Sequence, residues 1–206
     1  MKISENNQLI FVTSKVSDGN MALAKGEQGN VEENRQKFFK SLGISSEKVV
    51  VVSVVHGSIV VHIDSSDMDS KVEADGLITD KKGIYLTMLT ADCLPIGLYD
   101  SKTNTIALIH ASRHNIDTII TATINELQTD PPNLVAEIGP SIGPCHYQMD
   151  LWTKAEELLM QNGIKKENIH NQKLCTYESP DYYSHREFTE KNLSQDNRMI
   201  TVFGIK

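Results

Sequence analysis

A mixed α/β fold follows from three features of this sequence. Short runs rich in Val, Ile and Thr recur along the chain, each bounded by Gly, Pro, Asn or Asp. Between them lie stretches whose apolar residues recur at helical spacing. The chain has 206 residues, 39% hydrophobic and 23% charged, which suits one large core, so a single domain over residues 1–206 is expected.

In chain order, the first helix is "NVEENRQKFFKSLG" (30–43), with Asn30 as N-cap, Glu33 completing a capping box and Gly43 as the stop. Val31, Phe38, Phe39 and Leu42 share its apolar face. Strands are expected at "KVVVVSVV" (48–55), "IVVHI" (59–63), "GIYLTML" (83–89) and "TIALIH" (105–110). "LTADCLPIGLYD" (89–100) reads as a buried strand, but Asp92 and Cys93 stand side by side in it. Pro95 blocks simple continuation of an interior strand, so the chain is expected to bend at Asp92-Cys93. A second helix spans 116–127, with Ile116, Ile119, Ile120, Ile124 and Leu127 on one stripe. "LVAEI" (134–138) is a strand. The helix over 150–163 buries Leu151, Ala155, Leu158 and Leu159 and ends at Gly163, with Trp152 packing in its first turn. "MITVF" (199–203) is the last strand.

Bulk properties exclude some classes. A net charge of -7 argues against a nucleic-acid backbone binder. No apolar run approaches the roughly 20 residues of a membrane helix, and no secretory leader is evident. Three cysteines, an odd number, do not make a disulfide scaffold and point to a reducing, cytoplasmic setting.

Chemistry concentrates at strand ends. His56 follows the run 48–55, Cys93 sits at the expected bend, and His110 closes "TIALIH". Each alone has a bland reading, as a turn histidine, a buried thiol or a satisfied histidine. Together, a thiolate and two imidazoles form the ligand set of a catalytic zinc site with one open position. Asp92 would orient a ligand imidazole or handle a proton. His114, four residues after His110, is read as structural. "EIGPSIGPCHY" (137–147) lies between a strand and a helix, and its Gly139, Ser141 and Gly143 are candidate substrate contacts, since glycines let the backbone approach a ligand. In "DYYSHRE" (181–187), Arg186 would bind a phosphate or a carboxylate, and Tyr182 or Tyr183 would stack on a flat ring.

These motifs, with "EADGLIT", "TADCLPI", "IGPSIGPCHY", "YYSHRE" and "DNRMITVF", and the opening "FVTSKVSDGNMAL", resemble one family in order over nearly the whole chain. It comprises single-domain proteins once called multicopper polyphenol oxidases or laccase-domain proteins. They are also described as purine nucleoside phosphorylases and, in some bacteria, as peptidoglycan editing factors. The resemblance implies a layered α/β/α-type domain with mixed β-sheets. It places the metal ligands on His56, Cys93 and His110, with zinc as the ion and copper as the alternative. Cys93 and Asp92 are the expected catalytic residues on the residue reading above. It implies phosphorolysis of adenosine, inosine and methylthioadenosine, with adenosine deamination. The partners would be a nucleoside and phosphate, with Arg186 contacting substrate.

One departure from the family matters most. "HASRHNI" stands where the family has His-Ala-Gly-Trp-Arg-Gly, so Ser112, Arg113, His114 and Asn115 replace Gly, Trp, Arg and Gly. Glu187 also replaces a second arginine. A displaced cation is expected to weaken phosphate binding. Three other functions fit the same residues: an editing hydrolase of cell-wall precursors, a copper-dependent polyphenol oxidase, and a binding protein of reduced activity. The seven histidines include no His-x-His pair, against the oxidase.

Overall fold

The computed structural model describes residues 2–22, 30–67 and 72–206; Leu23, the end of the opening motif, lies outside them. Two mixed sheets pack face to face. The first contains β1 (Leu9–Thr13), β2 (Val49–Ser53), β4 (Val72–Glu73), β6 (Tyr85–Thr90) and β11 (Met199–Ile205), in the order β1-β11-β6-β2-β4. The second contains β3 (Val60–His62), β5 (Gly76–Thr79), β7 (Leu94–Asp100), β8 (Thr105–Ala111), β9 (Leu134–Ile138) and β10 (Ile169–Asn171), in the order β10-β9-β7-β8-β5-β3. Four helices complete the chain: α1 (Val31–Ser41), α2 (Ile116–Glu126), α3 (Leu151–Gln161) and α4 (His185–Glu190). The layered α/β architecture expected from the sequence is present, and its middle layer is double.

Side-chain alternation explains the layering. In β8, Ile106 and Leu108 face the other sheet, while Ala107, Ile109 and Ala111 face α2 and α3. In β2, Val50 and Val52 enter the space between the sheets, while Val49 joins Phe38 and Phe39 of α1 on the outer face. Phe11 and Phe203 meet edge to face between the sheets, with ring centroids 5.4 Å apart. Gly97 of β7 lies opposite them, and a Cβ there would come within 2.8 Å of the Phe11 ring. The missing side chain lets the sheets close.

Several local expectations change. Asn30 precedes α1 in a left-handed conformation (φ 66°) and its side chain caps nothing. A capping side chain needs an extended backbone at that position. Glu33 pairs with Lys37 instead, at 2.6 Å. Asp150 does cap α3, accepting from the Thr153 N–H at 3.1 Å. The expected strand 48–55 ends at Ser53, because the chain turns toward His56. Pro95 is an interior residue of β7, paired with His110 of β8. Its carbonyl accepts from Gly139 at 2.9 Å, beyond the last β7–β9 pair, Ile96 with Ile138. The N–H that proline lacks therefore has no ladder partner on that side, and the strand tolerates it. The expected bend at Asp92-Cys93 is present and separates β6 from β7.

The ends of β2, β6 and β8 converge. β2 and β6 run parallel, and the start of β7 pairs with the end of β8 through Leu94 and Ala111. Truncating Phe203, which is fully buried between the sheets, is expected to destabilise the fold by about 3–5 kcal/mol, read by urea denaturation of Phe203→Ala.

Candidate metal centre

The convergence brings His56, Cys93 and His110 together. Their donor atoms all lie within 4.8 Å of one another. His110 continues the inward-facing set Ile106 and Leu108 at the end of β8, and it is 1% exposed. His56 sits in the turn after β2 with φ 57°, and its ring meets that of His110 edge to face at 4.9 Å. Cys93 follows Asp92, whose φ of 84° is also left-handed. Two non-glycine residues held in that region beside one cluster store strain of order 1–3 kcal/mol each, which the surrounding bonds must hold in place.

The bonds that hold His56 come from Asp75. This residue is fully buried just before β5. Its carboxylate accepts from the His56 N–H at 3.0 Å, from the Gly57 N–H at 2.8 Å, and from Nδ1 of His110 at 2.8 Å. Its backbone carbonyl accepts from the His110 N–H at 2.7 Å. Burial pushes the Asp75 carboxyl up, but the bonds from His110, Gly57 and His56 outweigh it and hold the group below the usual range. With Nδ1 of His110 bound, Nε2 is the nitrogen left to face a ligand. Asn115 closes the network: its side chain donates to the carbonyls of Gly57 at 2.9 Å and His110 at 3.1 Å, and accepts from the Ser112 N–H at 2.7 Å.

Asp92, expected to orient an imidazole or handle a proton, lines a cavity with Cys93, and its hydrogen bonds run to other segments. Its carboxylate accepts from the Thr176 hydroxyl at 2.7 Å and the Arg186 N–H at 2.7 Å, and its carbonyl accepts from Ile142 at 2.9 Å. It ties three distant segments around the bend and touches neither imidazole through any of these bonds. In the sequence Asp75 lies in "EADGLIT", where nothing marks it as the partner of two histidines.

Burial pushes the Cys93 thiol up, and hydrogen bonds with His110 and His56 more than offset it, bringing it down to about 7. Burial pushes His110 down, and Asp75 and Cys93 raise it to about 9. The two imidazoles thus stabilise the thiolate form of Cys93. One thiolate and two imidazoles fit zinc, and fit copper as well.

His56 and Cys93 line a cavity of about 440 Å³, and His110 lies behind them. Arg113, His114, Tyr147 and Arg186 also line it. The displaced cation expected at "HASRHNI" is therefore in the cavity wall. Arg113 donates through Nε to Nε2 of His114 at 3.0 Å. Arg186 lies over the Tyr147 ring at 5.5 Å and pairs with Glu190 at 3.2 Å. Glu187 binds Lys191 at 2.8 Å instead of facing the cavity. Gly139, Ser141 and Gly143 are not in the lining. A Cβ on Gly139 would lie 2.9 Å from the Pro95 ring, and one on Gly143 would lie 2.7 Å from Trp152. Ser141 is buried and accepts from the Trp152 indole at 2.7 Å. The two glycines allow close packing, so the segment reaches the cavity through Ile142 and Tyr147. Tyr182 and Tyr183 do not line it either; Tyr183 donates to the Val16 carbonyl at 3.4 Å. The aromatic face in the lining is Tyr147, the last residue of "IGPSIGPCHY".

The family described as multi-copper polyphenol oxidoreductase laccase matches residues 11–150 and 146–206. The chain is 29% identical over 198 residues to the purine nucleoside phosphorylase SCO2081 of Streptomyces coelicolor, covering 81% of each. It is 30% identical over 191 residues to a purine nucleoside phosphorylase of Xylella fastidiosa, covering 76% of this chain and 73% of the other. The fold is that of the hypothetical protein YfiH of Bacillus licheniformis: TM-score 0.89, 22% identity, covering 100% of this chain and 96% of that one. It is also that of YlmD from Geobacillus stearothermophilus: TM-score 0.90, 22% identity, covering 97% and 93%.

Replacing Asp75 by Asn is expected to weaken metal binding about 10–100-fold, in a chelator competition assay, because the imidazole loses its charged orienting partner. Asp92→Asn should leave that affinity near wild type.

Proposed function

The chain belongs to the family described as multi-copper polyphenol oxidoreductase laccase, and from that premise we propose that it is a zinc-dependent purine nucleoside phosphorylase. Its substrates on this reading are adenosine, inosine and methylthioadenosine, with adenosine deamination as a second activity. The observation that carries the reading is the position of the Cys93 and His56 donors on a cavity of about 440 Å³ that also presents an aromatic face and two arginines. That size is within the range of small-molecule sites. The names of the relatives support an enzyme of this kind.

Each group has a task in that chemistry. His56, Cys93 and His110 would hold the ion, which when bound supplies Lewis acidity at one open position. Tyr147 offers a flat face to the purine. Arg113 projects into the cavity beside His114 and is the cation that gathers phosphate. Arg186 is stacked and paired with Glu190, so it is preorganised to meet a polar group of the substrate. Asp92 positions Arg186 by holding its backbone N–H. Phosphate attacks the ribose carbon, the glycosidic bond breaks, and its electron pair leaves with the purine, which must be neutralised by a proton.

The family's description also raises copper-dependent phenol oxidation. Two imidazoles and a thiolate suit copper too. The seven histidines make no His-x-His pair, so the several copper sites of a multicopper oxidase lack ligands here.

The test is phosphate-dependent release of hypoxanthine from inosine by protein whose metal content has been measured. Cys93→Ala should lose the ion and lower turnover by at least roughly 100-fold while the fold survives, since a core of this size stands without the metal. A metal-loaded wild type that leaves both inosine and adenosine intact would remove the reading.

Arg113→Ala is expected to raise the KM for phosphate roughly 10-fold and leave metal content unchanged, because it removes a charge-assisted contact. An unchanged phosphate KM would assign phosphate to Arg186 or to another group.

A further inference from the structure

A second cluster of soft donors lies outside the cavity lining. The donor atoms of Cys145, His146 and Cys175 all lie within 4.8 Å of one another. We propose that Cys145, His146 and Cys175 form a second metal site, for a thiophilic closed-shell cation such as zinc, separate from the His56, Cys93 and His110 centre.

Four observations carry this. The two sulfurs are 3.6 Å apart. Thiolates on one tetrahedral zinc, each about 2.3 Å from it, sit about 3.7 Å apart, so the pair is already at ligand spacing. Nδ1 of His146 is buried and has no hydrogen-bond partner among the described residues, although unpaired buried nitrogens are rare. Oε1 of Glu178 is 3.8 Å from it, beyond hydrogen-bond reach. The Gly143 N–H points at the Cys175 sulfur at 3.3 Å, as donors do that stabilise a ligating thiolate.

The backbone holds these parts in place from both sides. Ser141 pairs with Cys175 in an isolated parallel bridge, through Ser141 N–H to the Leu174 carbonyl at 3.1 Å and Thr176 N–H to the Ser141 carbonyl at 3.1 Å. The His146 ring is stacked on Tyr177, with centroids 4.1 Å apart, which fixes its plane. Three protein donors leave a fourth position, and the exposed Glu178 is the carboxylate in reach of it. The site is at the surface, since Cys145 is exposed, so an ion can enter without opening the core. A cation there would pin the turn that carries Ile142 and Tyr147 into the cavity wall.

The test uses the whole chain, stripped of metal and kept reduced with a phosphine. Cobalt(II) is the probe, because cobalt–thiolate bonds absorb in the near ultraviolet in proportion to their number. Wild type is expected to take up two equivalents. Cys145→Ala should take up one and keep about a third of the charge-transfer absorption, from one thiolate of three. Cys93→Ala should take up one and keep about two thirds. His146→Gln, at a half-buried position, repeats the first arm if Cys145→Ala does not fold. Competition with zinc should displace the cobalt from both sites. A wild type that binds one equivalent, with a spectrum unchanged in Cys145→Ala and lost in Cys93→Ala, overturns the second site and leaves the first. One equivalent lost in Cys145→Ala but kept in Cys93→Ala supports the second site and removes the first. A Cys145–Cys175 disulfide persisting in the phosphine-treated protein would also overturn the proposal.

Discussion

A single buried carboxylate organises the site. Asp75 has no contact with water, so its charge must be matched inside the protein. It is matched by one imidazole and two backbone N–H groups, and those donors belong to the residues that the cluster needs in place. The His56 turn and the end of β8 are thereby fixed to the same two oxygens. Removing either side would leave a buried charge without its partners, which is far less favourable than losing a surface bond. The geometry of the centre is thus held by electrostatics, inside sheets held by apolar packing.

Asp92 plays a complementary part at the other side of the cavity. A left-handed backbone at an aspartate is tolerated because its side chain and its carbonyl are all bonded, to Thr176, Arg186 and Ile142. Those three partners come from the turn beyond the β9 strand, the segment after Cys175 and the first turn of α4. The strained bend that turns Cys93 toward the cavity is therefore maintained by segments distant in sequence, and the bonds to Ile142 and Arg186 hold the neighbouring cavity wall.

The sequence was informative where one residue type is sufficient. Strand runs rich in Val and Ile located six strands, and the three long helices followed from apolar periodicity. The trio of His56, Cys93 and His110 was legible because imidazole and thiol are few and each stood at the end of a run. Asp75 was not legible as an orienter, because an aspartate before a glycine has the pattern of any turn, and only the β3–β5–β8 register brings it under His110. β10 and β4 are too short, and β5 too short and too apolar, to be told from loop or core. The glycines of "IGPSIGPC" were read as ligand contacts when their surroundings are Pro95 and Trp152; a close approach to a side chain and a close approach to a substrate look the same in sequence.

The three donors stand at positions 56, 93 and 110, on strand ends belonging to both sheets. No short segment contains two of them at ligand distance, in contrast with sites built on a local loop. Closing such separations in an unfolded chain is entropically unfavourable, and pairing of remote strands is the slow part of folding. The ligand set therefore comes into existence only after β2, β7 and β8 have found their registers. An ion meets either a chain with scattered donors or a finished cavity, with little between. An ion bound by these three donors would therefore report that assembly of the two sheets is complete.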